Sequence, residues 1–180
     1  MTQSSTDRRR RELLVGEWAC LGILYEGRTH GFAIASMLRP GGELGRVWSL
    51  SRALTYRSLD QLADRKLVRV VGEEPGLAGG NRTVLAATRT GRAELRRWIT
   101  APVEHLRDLR SELLLKLVIA DRCGIDLTAM LDLQRQIVAG LAAAITADVH
   151  SDGGDVVLMW RHETSEAALR FLDQLPALRP

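Results

Sequence analysis

The alternation of apolar and polar positions between His30 and Gly91 predicts a compact series of elements. His30-Gly31-Phe32-Ala33-Ile34 opens a short amphipathic helix. After Trp48-Ser49, a second helix is predicted to run through Tyr56, Leu59 and Leu62 to about Leu67. Two β-rich segments follow, Val68-Arg69-Val70-Val71 and Arg82-Thr83-Val84-Leu85-Ala86. They are separated by Glu73-Glu74-Pro75-Gly76-Leu77-Ala78-Gly79-Gly80-Asn81, whose turn formers suit the tip of a hairpin. Thr88-Arg89-Thr90-Gly91 can then cap a helix carrying Leu95, Trp98 and Ile99. Helix, turn, helix and hairpin in that order read as a winged helix-turn-helix, which makes double-stranded DNA the first partner to test.

Beyond residue 102 the period becomes helical throughout. One helix is expected from Leu109 to about Arg122, stopped at Cys123-Gly124. Asp126 can cap a second, in which Leu127, Met130, Leu131, Gln134, Ile137, Val138, Leu141, Ile145 and Val149 keep a three-and-four spacing of coiled-coil type. The segment 150–155 breaks the pattern, and a third helix from Val156 to Leu175 repeats it through Val157, Trp160, Thr164, Ala167, Phe171 and Leu175. Helices this apolar exceed what one small bundle can bury, so a homodimer is expected. The fold class is therefore mainly α with a small β-hairpin wing: a winged helix-turn-helix over residues 13–102 and a C-terminal α-helical dimerisation domain over 103–180. Residues 1–12 form a basic arm in which Arg8-Arg9-Arg10-Arg11 suits either non-specific contact with nucleic acid or a solvated helix start.

Taking about 100° per residue from Ser51, Thr55, Leu59 and Leu62 face inward, while Leu50, Ala53, Leu54 and Arg57 project the other way. Arg57 can pair with a guanine edge or a phosphate, and Ala53 or Leu54 can lie against a thymine methyl. Ser49 or Ser51 can cap the helix, with hydroxyls placed where a phosphate would meet its N-terminus. Tyr56 flanks the buried face and can pack its ring or offer its hydroxyl to a phosphate. Arg52 belongs to the same first turn. Asn81 and Arg82, with Thr83 beside them, follow Gly79-Gly80 where a wing meets the minor groove or its phosphates.

These residues carry a resemblance. His30-Gly31-Phe32 with Ile34, then Trp48-Ser49, Tyr56 with Leu59 and Leu62, Leu67-Val68, the Thr88-x-x-Gly91 turn and Trp98 together resemble the PadR-like transcriptional regulators, specifically the long members with a helical C-terminal domain. Two positions depart from that pattern: Lys66 stands where a glycine is usual after the recognition helix, and Val84-Leu85 where the second wing strand usually has an aromatic pair. The resemblance implies a repressor released by a small, often aromatic, molecule. Candidate effector-binding residues are Trp18 and Tyr25 on the first helix, His30 near the turn, and Trp160, Arg161 and His162 at the start of the last helix, a set suited to a flat ligand bearing an acid or phenol. The aromatic members fit core positions equally well.

Charge adds to this picture. Residues 1–100 hold 17 Lys+Arg against 10 Asp+Glu (+7), and residues 101–180 hold 8 against 12 (−4), so a basic half is joined to an acidic one. Other chemistry finds little footing. The four histidines are scattered without ligand spacing, no nucleophile elbow or phosphate loop is present, and no metal, cofactor or enzymatic role is expected. No apolar run approaches a membrane span, the N-terminus lacks a secretory core, and Cys20 and Cys123 read as buried thiols of a cytoplasmic protein. Two alternatives to a ligand-released repressor remain open: a ligand-independent DNA-binding protein of the same fold, and a helical interaction module without DNA binding.

Overall fold

The computed structural model describes residues 12–76, 80–151 and 155–175. The Arg8–Arg11 run, the wing-tip residues 77–79 and the interhelical residues 152–154 lie outside the described residues, as does the side chain of Val149. The chain divides into two compact units after Leu95. Sequence placed the boundary at residue 102. Trp98, in the last turn of its helix, is engaged by Glu112 and Lys116.

Helix α1 (Val15–Glu26) is buried over most of its surface through Ala19, Cys20, Leu21, Ile23, Leu24 and Tyr25. A helix without a polar face has to be surrounded. Helices α2 (Gly31–Leu38) and α3 (Arg52–Asp64) and the sheet supply that cover. The Glu17 carboxylate closes its N-terminus by accepting the Leu14 N–H at 2.8 Å. Burial, with the Glu17 charge adding to it, pushes the Cys20 thiol up to about 12, so this sulfur is an inert core group. Cys123 is only half-buried, against the sequence expectation, and neither of these two thiols is in a disulfide.

The second helix of the motif stops at Asp64, three residues short of the expected Leu67, because Lys66 turns the chain at φ 58° in the left-handed region. That conformation is the one the missing glycine would have taken without strain. The chain then enters β2 (Val68–Pro75), which pairs antiparallel with β3 (Asn81–Ala87). Both strands are longer than predicted, since Glu73-Glu74-Pro75 and Asn81 join the ladder instead of the turn. A third strand, β1 (Thr29–His30), pairs with Val84 and Leu85 on the other side of β3. Its two residues are too few to leave a period in the sequence. Helix α4 (Arg89–Ile99) begins at Thr88, whose hydroxyl donates toward the Lys66 and Leu67 carbonyls at 2.9 and 3.1 Å and accepts the Gly91 N–H at 3.0 Å. A β-carbon on Gly91 would lie 2.1 Å from the Leu67 carbonyl oxygen, which explains the glycine there.

After the last turn of α4, the C-terminal unit runs through a short α5 (Leu106–Asp108), continues as a π-helix (Leu109–Leu113) and becomes regular as α6 (Leu114–Cys123), where sequence predicted a single α-helix. Gly124 closes α6 in the left-handed conformation, as expected. Helix α7 (Thr128–Ser151) is capped by Asp126, and α8 (Val156–Gln174) by Asp155, each carboxylate accepting a backbone N–H two residues on. The two long helices form an antiparallel hairpin, tied by Arg135 to Asp173 at 2.8 Å and by Thr146 to His162 at 3.3 Å. Gln134, fully buried, donates to the Val103 carbonyl and accepts the Val103 N–H, so the one polar member of the α7 seam pairs with a loop backbone.

The seams differ from expectation in what covers them. That of α7 is mostly buried within its own unit, through Leu127, Met130, Val138 and Ile145. On α8 the stripe Leu158, His162, Ser165, Leu169 and Leu172 is the buried or half-buried one, and the predicted stripe lies beside it, with Val157 58 %, Trp160 72 % and Phe171 39 % exposed. A one-position shift in a three-and-four pattern rotates a helix by about 100°, which periodicity alone cannot resolve when both stripes are apolar.

A cation lies in the core of this unit. Lys116 is 1 % exposed; its Nζ donates to Glu112 Oε1 and to the Ala101 carbonyl, both at 2.8 Å, and sits 4.9 Å from the centre of the Trp98 ring. Trp98 Nε1 donates to the same Glu112 oxygen at 3.0 Å. Desolvation holds the Lys116 ammonium below its ordinary 10.5, opposed by the Glu112 hydrogen bond and charge.

Lys66→Gly should raise folding stability by about 0.5–1 kcal/mol in urea titrations, the relief of left-handed strain exceeding the extra chain entropy of glycine. Glu112→Gln should cost about 3–5 kcal/mol by leaving a buried ammonium unpaired, and adding Lys116→Met should recover much of it. Because the unfolded chain binds the Lys116 proton more tightly, wild-type stability should rise with pH from the lowered folded pKa toward 10.5. That increment should be missing in Lys116→Met.

Candidate nucleic-acid interface

Thr55, Leu59 and Leu62 are buried as the wheel predicted, which fixes the opposite face of α3 outward. Ser51 is the cap: its Oγ accepts the Leu54 N–H at 3.2 Å, and its carbonyl accepts the hydroxyl of buried Thr55 at 3.1 Å. Ser49 lies exposed in the preceding loop. Leu50 does not project outward with the helix. Its N–H donates to the Leu38 carbonyl at 2.8 Å, and its side chain packs where a β-carbon on Gly16 of α1 would stand, so it is half-buried ahead of the first turn.

The outward face comprises Arg52, Ala53, Leu54, Tyr56 and Arg57, all exposed, with Leu54 at 49 % and Tyr56 at 39 %. The Tyr56 ring is seated on Gly31 at the start of α2; a β-carbon there would come within 2.9 Å of it. Its ring therefore packs between helices while part of it stays in solvent. From the hairpin, Arg82 approaches the same region, its Cζ 5.2 Å from the centre of the Phe32 ring and its Nη1 3.3 Å from His30 Nε2. Asn81 is exposed at the strand start and donates to Glu73 Oε2 at 2.8 Å across the hairpin. His30 caps α2, its Nδ1 accepting the Ala33 N–H at 3.0 Å, which leaves Nε2 to donate to Glu74 at 3.2 Å.

Structure thus gathers Arg52, Tyr56 and Arg82 around the Gly31-Phe32 start of α2 and His30, with Leu54 and Arg57 on the open face of the helix. Sequence reading passed over Phe32. Its signal was available: Ile34, Ala35 and Leu38 carry the buried face of α2, and Phe32 falls off that stripe.

The effector candidates separate. Tyr25 is buried, its carbonyl accepting Arg92 Nη1 at 2.8 Å and its ring lying 4.0 Å from the Arg92 guanidinium carbon, so it serves the core of the winged unit. Trp18 is half-buried in α1, and His30 serves as the cap just described. In the C-terminal unit a cleft of 870 Å³ takes in Trp160 and Arg161 but not His162. Leu106, Leu109, Leu114, Leu141 and Phe171 make its apolar walls, and Arg107, Arg110 and Arg161 line it together with Glu104 and His105. Among the described residues no group of three or more metal-binding side chains occurs, and no helix is long and apolar enough to cross a membrane.

No protein-family model matches the chain, and no curated protein matches it. Solved structures similar to it include PadR of Bacillus subtilis in complex with operator DNA, 18 % identical over 87 % of this chain and 95 % of that one, with a TM-score of 0.46. The same protein with p-coumaric acid is 18 % identical over 89 % and 95 %, TM-score 0.45. A PadR-like transcriptional regulator from Bacillus cereus is 16 % identical over 88 % and 94 %, TM-score 0.39. Likeness at this level leaves function to the chemistry of this chain's own residues.

The two serines are separable by experiment. Ser51→Ala should destabilise the winged unit by about 1 kcal/mol in chemical denaturation, and Ser49→Ala should leave it within about 0.5 kcal/mol.

Proposed function

We propose that this protein is a sequence-specific DNA-binding transcriptional regulator without enzymatic activity, acting as a homodimer on a palindromic operator as a repressor released by a small aromatic effector. One observation carries the reading: the outward face of α3 presents Arg52, Leu54, Tyr56 and Arg57 to solvent, backed by a buried Thr55-Leu59-Leu62 stripe and flanked by Arg82 of the hairpin. An exposed leucine between arginines is poorly explained by solubility. It suits a major groove, where arginine meets guanine and an apolar side chain meets a thymine methyl. The +7 balance of residues 1–100 supplies the matching attraction for phosphates.

Self-association is supported by the α8 stripe of Val157, Trp160 and Phe171, which its own unit leaves in solvent. An exposed apolar row on a long helix is the kind of surface that a two-fold partner covers. For the effector, the cleft joins an apolar wall to Arg107, Arg110 and Arg161, a combination suited to an aromatic acid. Because Trp160 belongs to both cleft and stripe, a ligand there would be linked thermodynamically to dimer geometry.

Arg57→Ala should weaken operator binding by about 1–3 kcal/mol in a fluorescence-anisotropy titration, and Arg82→Ala should reduce the salt slope by about one unit. Unchanged affinity in both variants would remove these residues from the interface. In sedimentation the protein should run at twice its 19.9 kDa chain mass. Trp160→Ala should shift it toward monomer and abolish release from DNA by aromatic acids such as cinnamate, with folding stability changed by no more than about 0.5 kcal/mol because the residue is exposed.

A further inference from the structure

We infer that Phe32 is a positioning residue that holds Arg52 of the recognition helix and Arg82 of the hairpin as one phosphate clamp. The inference rests on the DNA-binding reading above. Phe32 is 49 % exposed and contributes nothing to the buried face of α2, which Ile34, Ala35 and Leu38 supply. The guanidinium carbon of Arg52 lies 5.6 Å from the centre of its ring and that of Arg82 lies 5.2 Å away. Arg52 also stands 5.7 Å from the Tyr56 ring, and the His30 ring is 6.2 Å from Phe32 at an interplanar angle of 39°.

Two like charges from separate elements thus converge on one aromatic ring. Among the described residues neither arginine has a carboxylate partner; Glu74, opposite Arg82 in the hairpin ladder, is paired with His30. The π-face attracts each cation without neutralising it. Both guanidiniums therefore keep their charge and most of their donors for an external anion while their positions are restricted. Arginine's planar fork loses less freedom on meeting a phosphate when it is already stacked. A backbone phosphate bridging the start of the recognition helix and the hairpin is the anion the arrangement suits, and it would fix the register in which Leu54 and Arg57 meet the bases.

Phe32→Leu tests this without altering charge. Binding to a fluorescent mixed-sequence duplex of about three helical turns is measured against salt concentration, with circular dichroism melting as the folding control. Loss of one to two units from the salt slope is expected, with affinity roughly 5- to 20-fold weaker at about 0.1 M salt, and Phe32→Trp should restore both. A variant that merely loosened α2 would lower the melting temperature and leave the slope unchanged. Phe32→Leu with wild-type slope and affinity overturns the clamp; so does Phe32→Trp failing to restore them, and Phe32→Met is the substitute should the leucine variant not fold. If the wild-type protein does not bind the duplex even at low salt, the DNA reading fails first. The clamp is then decided by the Nε–H resonances of Arg52 and Arg82 in the DNA-free protein. Ring-current displacement that disappears in Phe32→Leu supports the stacked pair, and resonances unmoved by the substitution overturn it.

Discussion

The near-complete burial of α1 is the constraint from which the winged unit follows. A helix with no polar face can persist in water only if other elements enclose it, and each enclosing element must then turn its own apolar stripe inward. For α3 the stripe is Thr55, Leu59 and Leu62, so its arginines have no place to go but solvent. Leu50 belongs to the same enclosure, which is why it packs over Gly16 and leaves the outward face to residues one turn later. Exposure of this face of α3 is thus a by-product of what the core requires on the other side.

The C-terminal unit solves a different problem. Its helices carry more apolar surface than one hairpin can pair, and the surplus appears on α8. At the same time a charged side chain, Lys116, is taken into the interior and satisfied by Glu112, the Ala101 carbonyl and the Trp98 face. A buried ion pair adds little net stability, but each partner is costly without the other, so the arrangement specifies one packing of the α4 end against the π-helix.

Much of this was legible in the order of residues. Thr55, Leu59 and Leu62 declared the buried face because helical period and burial coincide where one side is plainly polar. Thr88 and Gly91 declared a helix start because capping chemistry is local. The legible features share short range. Two apolar stripes on α8 differ by one position, and sequence favoured the one that the fold leaves exposed. Ser49 and Ser51 were equivalent as caps until the Leu50–Leu38 backbone bond fixed where the loop ends. Strand β1 was invisible because two residues carry no period, and Phe32 passed unnoticed because its partners are twenty and fifty residues away. The candidate site is assembled by such distant pairings, so its residues could be named individually but not as a group.

The hairpin has one more consequence. In the sheet order β1-β3-β2, strand β2 is an edge, and an open edge invites another chain to add a strand. Here the edge is interrupted by an irregularity in register between Val70 and Gly72 and continues as Glu73, Glu74 and Pro75. A bulge misaligns the bonding groups, two carboxylates repel a second copy of themselves, and proline offers no donor. The sheet is thereby protected from lateral growth into aggregates. A second copy of this chain therefore meets, along β2, few aligned groups with which to pair.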